Sequence, residues 1–206
     1  MSGSDAMSPA VRQFVRSTML SMDQWRDGEG YDTSMFRGLS QPEAACILDL
    51  LNERLADSGA GWRDVDAMAE LGIPPARMAM QRLARHPKAE VRLRAARHLA
   101  AWGDPSSAER EIVTLLRDAD TDIGADALMA MAEHHPSVPV RKALLDCAVD
   151  GAEHLRVHAA ALALFLAGGA AESFDWEHRP LFLEFGEPDR ATRIGALQKL
   201  KRLMRS

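Results

Sequence analysis

The sequence predicts an all-α protein, a right-handed α-solenoid of stacked helix pairs, and three observations support this fold class. A helical pattern recurs about every 32 residues, at 91–96, 123–128 and 155–160. A companion helix precedes each copy, and no segment alternates apolar and polar residues as a strand does. Since one helix pair cannot bury its apolar face alone, the pairs are expected to stack.

The chain before the repeats is predicted to be helical. Residues 1–8 are small and polar and are expected to form a flexible tail. Residues 9–72 are predicted to form an N-terminal helical cap. The expected helices run from Pro9 to about Arg26, from Ser40 to Ser58, and from Trp62 to Leu71.

Residues 73–168 are predicted to form three helix pairs, in which Gly and Pro end the second helix of each pair. The companion helices are expected at Ile73 to Arg85, Pro105 to Arg117 and Ser137 to Val149. Residues 169–206 are predicted to be a linker followed by a C-terminal capping helix from Pro188 to about Met204. All these parts are expected to form a single continuous domain.

Composition narrows the class of protein and its compartment. The 206 residues are 47% hydrophobic and carry a net charge of −5, which argues against a protein built mainly to neutralise phosphates. Cys46 and Cys147 have no ligand or redox spacing and are expected to be reduced and buried. We find no signal peptide or membrane span, and therefore expect a cytoplasmic protein without a membrane partner.

The segment from His86 to Leu99 resembles the second half of a HEAT repeat: a polar turn, then Val-Arg at 91–92, then Ala-Ala at 95–96 before Leu99. The resemblance covers roughly residues 73–167, although Gly124 replaces the arginine in the middle copy. It implies a HEAT-like (armadillo-type) solenoid whose surface binds another macromolecule.

Three other segments, 25–32, 62–65 and 174–180, are similar to segments of small bacterial HEAT-like proteins. Some proteins of that kind are immunity partners of toxins used between competing bacteria. This resemblance implies an immunity protein that binds and neutralises a cognate toxin or effector.

The sequence contains no motif that indicates catalysis, a metal or a cofactor, so we expect a non-enzymatic protein with no cofactor. His154 and His158 have the spacing of two metal ligands on a helix but lack a third ligand. The acidic stretch 23–34 fails the calcium-loop template, because Trp25 and Ser34 occupy ligand positions.

If the second helices line one surface, their charges change sign from repeat to repeat, which favours one shaped protein partner. The predicted partner-binding residues are Arg94, Arg97, Asp122, Asp126, His154 and His158, with Asp27, Glu29 and Asp32 as a second, acidic patch. Trp102, Phe174 and Trp176 would be interface anchors if exposed and core residues if buried.

The alternative function is nucleic-acid binding through a basic patch. Its predicted residues are Arg77, Arg82, Arg85, Lys88, Arg92, Arg94 and Arg97. The patch does not continue into the next repeat, where Gly124, Asp126 and Met129 replace three of the arginines. Nucleic acid is therefore the less favoured partner, and the sequence leaves the oligomeric state open.

Overall fold

The computed structural model describes residues 7–57, 59 and 61–205, apart from the side chain of Trp25. These residues form helices and connecting segments without any strand, which confirms the predicted all-α class. They divide into two compact units, one that ends at Leu99 and one that begins at Ala100. The predicted tail falls mostly on residues 1–6, outside the described part of the chain, and the other predicted boundaries stay predictions.

The first unit is built on apolar faces of short helices. Its helices are α1 (Pro9–Ser17), α2 (Met22–Arg26), α3 (Gln41–Ala56), α4 (Trp62–Leu71), α5 (Pro74–Leu83) and α6 (Ala89–Ala101), which ends two residues into the second unit, and a short 3-10 helix lies at Ser34–Gly38. Helix α3 packs against α1 and α4, and α4 packs against α5. Burial of each large core side chain, such as Phe14, Ile47 or Met68, contributes about 1.5–3 kcal/mol.

The second unit shows the stacking of consecutive helix pairs. Its helices are α7 (Pro105–Arg117), α8 (Ala125–His134), α9 (Val138–Asp150), α10 (Glu153–Leu166), α11 (Arg179–Leu183) and α12 (Arg190–Leu203), with short 3-10 helices at Trp176–His178 and Glu184–Gly186. Helix α7 packs on α9 and α8 packs on α10, so the pair α7–α8 lies on the pair α9–α10. Within this unit the arrangement fits that of an α-solenoid.

The predicted start and stop signals act as expected. The backbone N–H of Ser40 donates to Glu43 across 2.8 Å at the start of α3. Gly72, Gly103 and Gly168 adopt φ angles of 67°, 97° and 80° where α4, α6 and α10 end. Residues other than Gly rarely adopt this left-handed backbone conformation, which explains why Gly recurs where these helices end.

Several predicted helix bounds differ from the structure; α5, for example, ends at Leu83 rather than at Arg85. The first predicted helix, Pro9 to Arg26, is interrupted after Ser17, where Ser17 and Thr18 donate side-chain hydrogen bonds to the carbonyls of Phe14 and Val15. Such back-bonding competes with helix continuation. The C-terminal helix begins at Arg190 rather than at Pro188, because the Asp189 side chain accepts from the N–H groups of the first turn.

Candidate functional site

The predicted acids and histidines of the second unit lie on neighbouring helices. Asp126 is exposed on α8, Asp122 is exposed in the loop before it, and His154 and His158 are exposed on α10. The Nε2 atom of His154 lies 2.9 Å from the carbonyl oxygen of Ile123, so α10 holds the loop that carries Asp122. The structure therefore brings these four residues onto adjoining elements.

A C-terminal segment adds aromatic side chains beside His158. The rings of His158 and Phe174 are 5.8 Å apart, and Phe174 contacts the buried Phe182 with a separation of 5.6 Å. Trp176, two residues later, is 68% exposed, and the guanidinium of Arg179 lies 4.6 Å from its ring centre. Of the aromatic anchors considered from the sequence, Trp176 is thus exposed, whereas Phe174 and Trp102 are partly buried.

The segment that carries Trp176 is fixed by Asp175. Its carboxylate accepts from the backbone N–H of Glu177 at 2.9 Å and from that of Ala171 at 3.3 Å. These backbone hydrogen bonds lower the pKa of Asp175, so the carboxylate stays ionised and keeps the turn closed. We call the set Asp122, Asp126, His154, His158 and Trp176 the Trp176 surface.

In the first unit, Arg94 is not the exposed cation that the sequence predicts. Its Nε donates to Asp66 Oδ1 at 2.6 Å, its Nη2 donates to Oδ2, and its guanidinium lies 5.2 Å from the Trp62 ring centre. The Nε2 atom of His98 lies 2.7 Å from the same Asp66 Oδ1. Arg94 is thus engaged within its own unit, because α4 presents a carboxylate to α6.

The electrostatics of this cluster favour its ionised form. Burial alone would raise the pKa of Asp66, but the hydrogen bonds from Arg94 and His98 outweigh it and lower the pKa. The hydrogen bond to Asp66 correspondingly raises the pKa of Arg94. The cluster is thus an ion pair between Asp66 and Arg94, with His98 as a further partner of the Asp66 carboxylate.

A second polar network lies at the start of α4. The carboxylate of Asp64, whose residue is 2% exposed, accepts from Arg54 Nε at 2.6 Å and from the Tyr31 hydroxyl at 3.1 Å. It also accepts from the backbone N–H of Gly61 at 3.2 Å. Neither Asp64 nor Asp66 was among the predicted site residues. Asp64 lies three residues after Gly61, at the start of α4, and an acid at this position is a helix-capping signal that could have identified it.

The predicted acidic patch is largely satisfied by local contacts. Asp27 pairs with Arg26 at 3.4 Å, and the Glu29 carboxylate accepts from Gln24 at 3.1 Å. The Asp32 side chain accepts from the Ser34 N–H at 2.9 Å, and hydrogen bonds to Ser34 lower its pKa. These residues are exposed, but they shape the loop that carries them.

The members of the predicted basic patch differ in burial and in their contacts. The Nη1 atom of Arg92 donates to the carbonyls of His86 and Pro87, at 3.0 and 2.9 Å, so Arg92 closes the loop before α6. Arg156 makes the equivalent contact with Gly151 at 2.8 Å, which indicates a structural role for this repeated arginine. The exposed members are Arg77 and Arg82 on α5, Arg85 just after α5, and Arg97 on α6, while Lys88 is partly buried.

The buried cysteine carries no reactive thiolate. Burial raises the pKa of Cys147 to about 12, and Cys46 is partly buried; both are free thiols.

Across the described ranges, no three His, Cys, Asp or Glu side chains are grouped so that they could hold a metal ion. In the same part of the chain, no helix combines the length and apolar character needed to cross a membrane.

The repeat region is the part of the chain that matches a known protein family. Residues 76–164 match the family model of HEAT repeats. The searches of curated proteins and of solved structures found no match. HEAT repeats generally mediate interactions between proteins. The match, together with the stacked helix pairs of the second unit, supports HEAT-like helical repeats within residues 76–164.

Proposed function

We propose that this chain is a non-enzymatic module that binds another protein through the Trp176 surface. The observation that carries the proposal is Trp176 itself, a large side chain that is 68% exposed. Arg179 lies against one face of its ring, and the turn that carries it is closed by Asp175. A tryptophan held in place before binding loses little conformational entropy when a partner covers it.

The chemistry around Trp176 favours a protein over a uniform polymer. Trp and Arg are the residue types most enriched among those that dominate binding energy at protein interfaces. The acids Asp122 and Asp126 repel phosphates, and no ion pair in the described residues neutralises them. A partner that offers cations opposite these acids and a pocket for the indole fits this surface.

We further propose that the partner is a bacterial toxin or effector and that binding neutralises it in the cytoplasm. The support for this step is the resemblance, inferred from the sequence, of segments 25–32, 62–65 and 174–180 to small bacterial HEAT-like proteins, some of which are immunity partners of toxins. The third of these segments contains Trp176. Growth rescue tests the proposal: coexpression should restore growth to cells that make the captured toxin, and the Trp176→Ala variant should not.

Affinity capture from the source organism, with and without nuclease, tests protein binding. We expect one stoichiometric protein that survives nuclease, is retained by Val138→Ala and is lost from Trp176→Ala. Val138 is a suitable control because it is 81% exposed in the same unit. Loss of all captured material after nuclease treatment would contradict the proposal.

The second candidate function is nucleic-acid binding, and the exposure of Arg82, Arg85 and Arg97 is the observation that favours it. The intramolecular contacts of Arg92 and Arg94 reduce the number of cations available to phosphates. Steep salt dependence of binding to duplex DNA would support this alternative.

A further inference from the structure

One face of α5 carries long side chains that point away from the core of the first unit. The face comprises Arg77, Met78, Gln81 and Arg82 on the helix and is continued by Arg85, two residues after the helix ends at Leu83. Met78 is 61% exposed. Met78, Gln81, Arg82 and Arg85 line a shallow depression of about 300 Å³.

Arg82 and Arg85 differ from the arginines that bind acceptors of the protein itself. Arg94 and Arg54 bind carboxylates, and Arg193 binds backbone carbonyls. Among the described residues, by contrast, Arg82 and Arg85 make no side-chain hydrogen bond or ion pair. Helix α5 contains no Asp or Glu, so its own sequence offers these cations no partner.

We propose that this α5 face is a docking site for an acidic segment of a protein that also bears an apolar side chain. Carboxylates of the segment pair with Arg82 and Arg85, and the apolar side chain enters the depression against Met78. The flexible thioether side chain of Met78 adapts to apolar groups of different shape. This surface is in the first unit and does not depend on the Trp176 surface.

The same observations disfavour nucleic acid as the occupant. Helix α5 has ten residues, which corresponds to a length of about 15 Å, and Arg92 and Arg94 cannot extend its cationic face because they bind within the protein. A short row of cations contacts few phosphates and gives weak binding at physiological salt. An exposed methionine at its centre contributes nothing to phosphate contact.

Fluorescence anisotropy with a blocked, fluorescein-labelled peptide, Glu-Glu-Leu-Glu-Glu, tests the proposal directly. We expect saturable binding to the full chain and a loss of about tenfold or more in affinity for Arg82→Glu/Arg85→Glu, because two attractive contacts become repulsive. The matched control, Arg37→Glu/Lys201→Glu, changes the net charge equally on exposed side chains outside α5 and should retain affinity within about threefold. Equal thermal unfolding curves would show that both variants are folded.

A second peptide tests whether Met78 contacts the apolar side chain of the bound segment. A peptide in which Gly replaces the Leu should bind several-fold more weakly to the native chain, and Met78→Ser should remove this difference between the two peptides. A matching 20-base-pair DNA duplex at the same salt concentration should bind more weakly than the Leu peptide.

Four results would overturn the proposal. They are absence of peptide binding, equal losses in the α5 variant and its control, tighter binding of the duplex than of the peptide, and a self-association in sedimentation experiments that Arg82→Glu/Arg85→Glu abolishes. The third would identify nucleic acid as the occupant, and the fourth would identify a second copy of the chain.

Discussion

The guanidinium of Arg179 lies 4.6 Å from the centre of the Trp176 ring, so a cation covers one face of an indole that solvent otherwise reaches. Such a cation–π contact stabilises an exposed pair by about 0.5–1 kcal/mol. It holds the ring in place without burying it. Trp176 therefore combines a fixed position with an accessible apolar surface.

Trp176→Ala should separate binding from stability. We expect partner affinity to fall by about 30-fold or more, as at interface hot spots. The free energy of unfolding should change by no more than about 1 kcal/mol, because the side chain contributes little to the core. Titration calorimetry with the captured partner and urea unfolding measure the two effects. A stability loss of about 3 kcal/mol with unchanged affinity would instead assign Trp176 to the fold.

Asp66→Asn tests the ion cluster of the first unit. The change removes the negative charge that faces Arg94 and replaces one of the two acceptor oxygens by an NH2 donor group, so it should lower the free energy of unfolding by about 1–3 kcal/mol at pH 7. Urea unfolding of the variant and of the native chain measures this difference. The isosteric amide preserves the volume, so the effect reports charge and hydrogen bonding.

The effect of Asp66→Asn on the free energy of unfolding should depend on pH. The pKa of Asp66 is lower in the folded chain than in the unfolded chain, so its stabilisation is complete above the ordinary Asp pKa of about 4. It is lost as pH falls through the lowered folded pKa. The stability difference between the native chain and Asp66→Asn should therefore shrink on acidification below about pH 4. A difference that is independent of pH would contradict this account.

Arg193→Ala should destabilise the second unit far more than Arg190→Ala. Arg193 is buried and donates to the carbonyls of Val149 at 2.7 Å, Glu187 at 2.6 Å and Pro188 at 2.8 Å. We expect a loss of about 2–4 kcal/mol, because buried acceptors are left unsatisfied. Arg190, three residues earlier in the same helix, makes an exposed ion pair with Asp150 and serves as the control. Similar unfolding midpoints for the two variants would refute the structural role.

Cys147 should resist thiol reagents until the chain unfolds. With a pKa of about 12, only about one thiol in ten thousand is ionised at pH 8, and burial also blocks the reagent. In a Cys46→Ser background, colour development with a disulfide reagent should be slow in buffer and rapid in urea. Rapid reaction of the folded chain would show that α9 opens locally.

The fold was predictable where a local sequence signal, such as apolar periodicity or a glycine, agrees with the way the helices pack. Periodic apolar positions predicted α7 with the observed bounds, and Gly72 and Gly103 end helices as their backbone freedom requires. The engagement of Arg94 was not predictable, because Asp66 lies 28 residues away and no spacing rule connects them. Arg92 resembled a surface cation for a different reason: its acceptors are the nearby backbone carbonyls of His86 and Pro87, which no side chain in the sequence signals.

The candidate site was predictable in part. Helical spacing placed Asp126, His154 and His158 at exposed positions, as the structure shows. It did not predict that Trp176 is exposed or that Phe174 lies against His158, because the segment after Gly168 has no repeat pattern and owes its conformation to Asp175 and Phe174. Exposure of an aromatic residue depends on such tertiary contacts.

Photo-crosslinking in the source organism tests most directly whether the Trp176 surface binds a protein. With p-benzoylphenylalanine at position 176, we expect one crosslinked protein, and with the same group at position 138, a more exposed site in the same unit, we expect none. The Asp126→Lys change should weaken the crosslink from position 176, because the acid contributes to the same surface. Crosslinks of equal yield from both positions, or to nucleic acid alone, would contradict the account.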